Sequence, residues 1–352
     1  MLALSFLSFF TLVPIVRGLA FNDITFIFSF GDSYTADGYQ PALGYSPVTG
    51  QTSTTTSGGL KELEPRRPGI TCWNDHRALG ADLERTTFAD WLQFLAHIDP
   101  DTANSFYDFA TQGASVTNAI VNTGVSSFVD QVTTFEKYFV EPVNSPPWKS
   151  QTATTLFSVW FGINDIGYSY LHGQIFPEII DSVLATYDDQ IQRLYADGAR
   201  NFLINNVPPT DRTPLVVTYG AATVALFETN VALWNLRIAA YVAAFSTKYP
   251  GATATLFDAN TLFNTILATP STYKIADTTS VCSAYSTVTD QPFLYLPSCQ
   301  WPLQAYFWHN TYHPTWPVHQ AVADGIVLTL STSSTSTKRM RKRSGHRLDD
   351  QH

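Results

Sequence analysis

Ser33 combines a residue type and a setting that could do chemistry. It closes the run "FSFGDS", where a hydrophobic stretch stops at Gly31-Asp32-Ser33 and opens into a polar, aromatic loop. A serine hydroxyl is a weak nucleophile at neutral pH. It needs a base within hydrogen-bond reach and donors placed for the oxyanion that forms. Three of the eight histidines cluster in "WHNTYHPTWPVHQAVAD": His309, His313 and His319. His313 precedes a proline, which biases it away from helix and presents it from a rigid loop. His319 stands where a last helix is expected to begin, so capping or surface packing is its expected role. His309 follows an aromatic run and is expected to be partly buried. For donors, Gly113 offers a backbone N–H with no side chain in the way, and Asn164 a side-chain amide. Each also has an ordinary reading: a turn serine, a packed imidazole, a turn glycine, a loop asparagine. The Gly-x-Ser pattern recurs at Ser115 and Ser126, and the Gly-x-Ser-x-Gly elbow is absent.

The elements that must position these residues are readable from periodicity. Five short β-rich runs lie at 24–30, 106–110, 156–161, 202–207 and 252–257. Between them, Ile180, Val183, Leu184, Tyr187, Ile191, Leu194 and Tyr195 recur at three- and four-residue steps, and Gly198 supplies a stop. A second long helix is expected over 221–249. Strands alternating with such helices imply a three-layer αβα sandwich around a mainly five-stranded parallel sheet. In such sheets ligands bind beyond the carboxyl ends of the strands. Gly31-Asp32-Ser33, "TQGAS", "GINDIG" and "NVPPTDRTP" each follow one run, so polar and glycine residues gather on one edge.

The 352 residues include 45% apolar and only 14% charged side chains, a globular composition. Residues 1–20 are a near-continuous apolar run with small residues before Ala20 and read as a signal peptide, with a retained membrane anchor as the competing reading. Residues 21–332 are expected to form one domain, with a Gly-, Thr- and Pro-rich insertion at 36–87. Residues 333–352 are expected to be a disordered basic tail. The net charge is −9 for the whole chain. Arg17 and the tail hold seven of the 20 basic and two of the 29 acidic residues, so residues 21–332 carry 13 − 27 = −14. An acidic body disfavours nucleic acid or an anionic membrane as partner. Of the three cysteines, Cys282 and Cys299 are the better pair and Cys72 the odd thiol.

Taken together, "FGDSYTADG", "ATQGAS", "WFGINDIG" and "NTYHPT", in this order, resemble the four blocks of the SGNH (GDSL-type) hydrolases. The resemblance spans about residues 24–325. The form of the blocks is most similar to the secreted fungal acetylesterases of carbohydrate esterase family sixteen. It implies a flavodoxin-like fold and a secreted, extracellular esterase that needs no metal or cofactor. Ser33 would be the nucleophile and His313 the general base. The N–H groups of Ser33 and Gly113 and the amide of Asn164 would form the oxyanion hole. The implied substrate is a small-molecule or oligosaccharide ester with a short, acetyl-like acyl group. Neither nucleic acid nor stable membrane insertion is expected, and the chain is expected to be a monomer.

One position departs from the pattern. The last block of the family usually reads Asp-x-x-His, and here Asn310 holds the acidic position. Three outcomes follow: Asn310 or a backbone carbonyl orients His313, a carboxylate arrives from elsewhere, or catalysis is weakened. The alternatives to an acetylesterase are a lipase or phospholipase acting on longer chains and a carbohydrate-binding homologue with a weakened site.

Overall fold

β1 (Phe26–Gly31) runs through the middle of the molecule with all six residues buried. Its near-continuous apolar character is what a strand covered on both faces requires. It is flanked by β2 (Ser105–Asp108) on one side and β3 (Thr155–Trp160) on the other. β4 (Asn201–Asn205) and β5 (Thr253–Phe257) complete a parallel sheet of order β2-β1-β3-β4-β5. The five expected strands match these five, with ends shifted by one or two residues at most of them. The order reverses between β1 and β3, and this switch point leaves a crevice outside their carboxyl ends. The computed structural model describes residues 18–36, 90–98, 105–141, 147–287 and 295–345. The expected signal peptide up to residue 17, the insertion from residue 37 and Cys72 lie outside the described residues.

Helices cover both faces. In chain order they are α1 (Trp91–Ile98), α2 (Phe128–Phe135), α3 (Ile163–Leu171), α4 (Phe176–Asp197), α5 (Pro214–Thr218), α6 (Ala221–Lys248), α7 (Ala259–Ala268) and α8 (Trp316–Gly345). α2, α4 and α6 pack along one face, and α1, α7 and α8 along the other. Local chemistry sets their ends. Ser127 and Asp130 form a capping box on α2. Asp258 caps α7 by accepting from the Thr261 N–H. Gly198 closes α4 in the left-handed conformation at φ 116°.

The core on the α2 face is aromatic. Phe28 lies 5.0 Å from Phe135, 5.1 Å from Phe139 and 5.6 Å from Trp148, all edge-on. Such contacts add about 0.5–1.5 kcal/mol each to simple burial. They hold β1 rigid up to the point where Ser33 emerges. A satellite core of Tyr285, Cys299, Leu303 and Tyr306 is pinned by the Cys282–Cys299 disulfide, the pair expected from the sequence.

α8 is anchored at its start, where Val318, Val322, Ile326 and Leu330 are buried at helical spacing, and its bounds reach Gly345. Among the described residues no helix is long and apolar enough to cross a membrane.

Candidate active site

Ser33 stands two residues beyond Gly31, in the turn that leaves β1. That turn is held from inside. The buried Asp32 side chain accepts from the Tyr34 N–H at 3.0 Å, and its carbonyl accepts from the N–H groups of Thr35 and Ala36. Burial pushes the Asp32 carboxyl up to about 7, with the nearby Asp165 adding to the shift and the Tyr34 N–H opposing it. The Ser33 hydroxyl meets Nε2 of His313 at 2.8 Å.

His313 sits on a five-residue loop closed by its own backbone. The His309 N–H donates to the His313 carbonyl at 2.9 Å, and a bridge between Trp308 and Pro314 pairs the two arms. Inside the loop, Oδ1 of Asn310 accepts from the N–H groups of Tyr312 and His313, each at 2.9 Å. Nδ1 of His313 lies 2.9 Å from the same oxygen. Only an oxygen can accept from two backbone N–H groups, so the orientation of the Asn310 amide follows from the main chain. An oxygen facing Nδ1 requires the proton on Nδ1. Nε2 is then the unprotonated nitrogen, and it faces the Ser33 hydroxyl as an acceptor. Burial, with a smaller contribution from His309, holds this imidazole down at about 4, so it is neutral near pH 7.

The strand end and the loop are joined directly. The Tyr34 hydroxyl donates to the Tyr312 carbonyl at 2.6 Å, and the Tyr34 ring lies 5.6 Å from that of His313. From the opposite side, the Leu215 N–H at the start of α5 donates to the Thr311 carbonyl at 2.9 Å.

The donor candidates come from the loop after β2 and from α3. Gly113 has φ 82°, a left-handed conformation that favours glycine. Among the described residues, the N–H groups of Ser33 and Gly113 donate to no other atom. Gly162, at φ 117°, makes the abrupt turn from β3 into α3, and a Cβ there would stand 2.4 Å from the Trp234 ring. That turn places Asn164 in the first helical turn, buried beside the Gly113 loop. One N–H of its amide donates to the Ala114 carbonyl at 3.0 Å, which leaves the second N–H available. Asp165 anchors the same loop, accepting from the Val116 N–H at 3.0 Å. Burial raises its carboxyl to about 7, against the backbone N–H groups that hold it down. Val125 and the Tyr168 hydroxyl lie 3.6 and 3.9 Å from where a Cβ on Gly113 would stand.

The structure thus brings Ser33, His313 and Asn310 into one hydrogen-bonded chain, with Asn164 and the Gly113 loop tied to each other. Ser115 is excluded as a competing nucleophile, being buried with its hydroxyl donated to the Val121 carbonyl. His319 is not a cap. It is buried on α8, its ring 6.3 Å from that of Tyr34. His309 is also buried. Sequence reasoning missed Tyr34 and Asp165. Asp165 had a readable signal, an acid beside Asn164 in the first turn of a helix. Tyr34 had none, because its partner lies 278 positions away.

Comparison with known proteins bears on this arrangement. The family model described as GDSL-like lipase/acylhydrolase matches residues 27–326. An acetylesterase of Thermothelomyces thermophilus is 30% identical over 305 residues, 86% of each chain. An acetylesterase of Hypocrea jecorina is 23% identical, with 84% of this chain and 85% of that one aligned. Among solved structures, the acetylxylan esterase Axe2 of Geobacillus stearothermophilus aligns over 90% of this chain and 96% of its own. Its identity is 13% and its TM-score 0.41, too distant a likeness to carry an argument.

Proposed function

Because this chain belongs to the family of GDSL-like lipases and acylhydrolases and is a carboxylic ester hydrolase, we propose that it cleaves acetyl and similarly short esters through an acyl-enzyme on Ser33. The observation that carries this reading is the ordered contact series Asn310 Oδ1, His313 Nδ1–H, His313 Nε2, Ser33 Oγ. His313 takes the Ser33 proton as Oγ attacks the ester carbonyl carbon. The oxyanion is held by the N–H groups of Ser33 and Gly113 and the free N–H of Asn164. His313 then gives the proton to the leaving alcohol as the C–O bond breaks. A water molecule, deprotonated by His313, attacks the acyl-enzyme and returns Ser33 with release of the acid.

Asn310 supplies orientation without charge. In serine proteases, replacing the orienting Asp by Asn costs about 10⁴ in kcat because the wrong tautomer results. Here two backbone N–H groups hold the oxygen toward His313, which supports the productive tautomer. The imidazolium formed during turnover still lacks a full negative charge beside it. A secreted enzyme acting on acetylated saccharides is the setting we propose. The disulfide suits an oxidising compartment, and the two acetylesterase relatives support the acyl group.

The test is a series of p-nitrophenyl esters and acetylated saccharides, run on the enzyme and on Ser33→Ala. Activity confined to short acyl groups and abolished by Ser33→Ala is expected. A preference for chains of about eight carbons or more would replace this reading with a lipase, and an unchanged Ser33→Ala would overturn the site.

A further inference from the structure

The sheet is incomplete at the place where Ser33 leaves it. β2 accompanies β1 only as far as Ser29, and the chain after β2 turns away into the Gly113 loop. Thr111 reaches back with one bond, its N–H donating to the Gly31 carbonyl at 3.1 Å. The Gly31 N–H is then left facing the side where a strand should continue. Gln131, on α2, occupies that side. Its Oε1 accepts from the Gly31 N–H at 3.0 Å, and its Nε2 donates to the Gly31 carbonyl at 2.8 Å. Nε2 also approaches the Ser126 carbonyl at 3.5 Å. The side chain is buried.

We propose that Gln131 is a positioning residue for the ester hydrolysis: its amide stands in for the missing strand and fixes Gly31, and through it the placement of Ser33 relative to the donor loop. This rests on the role proposed above for Ser33. A primary amide has the same donor–acceptor pair as one peptide unit, so it extends a ladder where the main chain cannot. The same device recurs at the end of β4. There Asn235 accepts from the Val207 N–H and donates to the Val207 carbonyl, both at 2.8 Å. Gly31 is also closely packed, since a Cβ there would stand 3.0 Å from the Thr35 hydroxyl and 3.1 Å from the Trp160 carbonyl. The Gly31 carbonyl takes bonds from both Gln131 and Thr111. The clamp therefore binds the Ser33 turn to the segment that carries Gly113, the two halves of the oxyanion site that must stay in register.

Two substitutions separate positioning from bulk stability. Gln131→Met keeps the volume and removes both bonds. Gln131→Glu keeps the shape, and in its protonated form the carboxyl again accepts from the Gly31 N–H and donates to the carbonyl. When ionised it cannot donate, and it sets a negative charge against the Gly31 oxygen. For Gln131→Met we expect kcat for p-nitrophenyl acetate, and the rate of fluorophosphonate labelling of Ser33, to fall together on the order of 10²-fold, with KM little changed. For Gln131→Glu we expect near-normal kcat while the new carboxyl is protonated and a loss as pH rises through its titration. The unmodified protein should lack that step. Leu194→Ala, a buried change near the end of α4, where the chain is about to enter β4 in the half of the sheet away from β2, serves as the destabilised control and should leave labelling unchanged.

Normal labelling rates in folded Gln131→Met, or a Gln131→Glu profile parallel to that of the unmodified enzyme, overturn the proposal. Ser33→Ala, measured alongside, distinguishes the two failures. If it is inert while the Gln131 variants are fully active, only the positioning role is lost. If it remains active, the assignment of Ser33 itself fails.

Discussion

The hydroxyl of Tyr34 donates to the carbonyl of Tyr312 at 2.6 Å, so the residue after Ser33 holds the residue before His313. This bond joins two segments separated by nearly the whole chain, one position away from Ser33 and from His313. It makes the distance between Oγ and Nε2 a property of the backbone rather than of two free side chains.

Tyr34→Phe keeps the ring against His313 and removes that tie. A single neutral hydrogen bond contributes about 1 kcal/mol to stability, so Tm should fall by only a few degrees. kcat should drop about tenfold or more, because near-attack geometry is sensitive to small displacements. Steady-state kinetics beside a thermal melt checks both halves. A fall in Tm with no fall in kcat would mean the tie is structural only.

Asn310→Asp places a carboxylate where three donors already point. Its charge stabilises the imidazolium, so the His313 pKa should rise from its low value of about 4. The general base must be neutral, and activity is lost as pH falls through that pKa. The acid limb of kcat/KM should therefore move to higher pH, while the rate at pH 8 holds or increases. Asn310→Ala should instead lose on the order of 10⁴ in kcat, the loss seen when a catalytic histidine loses its orienting carboxylate. Complete inactivity of Asn310→Asp would contradict the orienting role.

Asn164→Ala removes the side-chain donor proposed for the oxyanion and should cost about 10²–10³ in kcat with little change in KM. The bond from Asn164 to Ala114 is lost as well, so a thermal melt is run beside the kinetics. A loss of kcat with Tm little changed points to the donor, and a loss that tracks a large fall in Tm would point to the loop instead.

Val125 and Tyr168 border the Gly113 side of the site. If they limit the acyl pocket, Val125→Ala combined with Tyr168→Ala should raise kcat/KM for butyrate and hexanoate esters relative to acetate. An unchanged ratio along the p-nitrophenyl ester series would place the acyl group elsewhere.

His319 bears on stability rather than chemistry. Burial, with smaller contributions from His313 and His309, holds its imidazole at about 3, against 6.5 when unperturbed. Below pH 6.5 the unfolded chain binds a proton that the folded chain refuses, so stability falls as pH falls toward 3. His319→Phe removes this term. By linkage it should recover on the order of 3 kcal/mol at pH 4 relative to its own value at pH 7. Urea denaturation at the two pH values measures the difference, and an unchanged gap would refute the account.

Much of the architecture was legible because it rests on local periodicity. Ile180 to Tyr195 repeat at helical spacing with Gly198 as stop, and α4 ends there at a left-handed glycine. The run 24–30 is apolar at every position but Thr25 and Ser29, and β1 is buried throughout.

By itself, the sequence determined the alternation of strands and helices, the edge at which polar residues collect, and the candidates Ser33, Gly113, Asn164 and His313. These depend on residue type, short spacing and order along the chain. Tertiary structure decided which atoms meet. Asn310 lies three positions from His313, yet its role depends on a loop closure that aims the amide oxygen at Nδ1 and leaves Nε2 facing Ser33. Gln131 is 100 positions from Gly31 and carries no motif. Its importance arises from a missing stretch of strand, and a gap in a hydrogen-bond ladder exists only once the strands have paired.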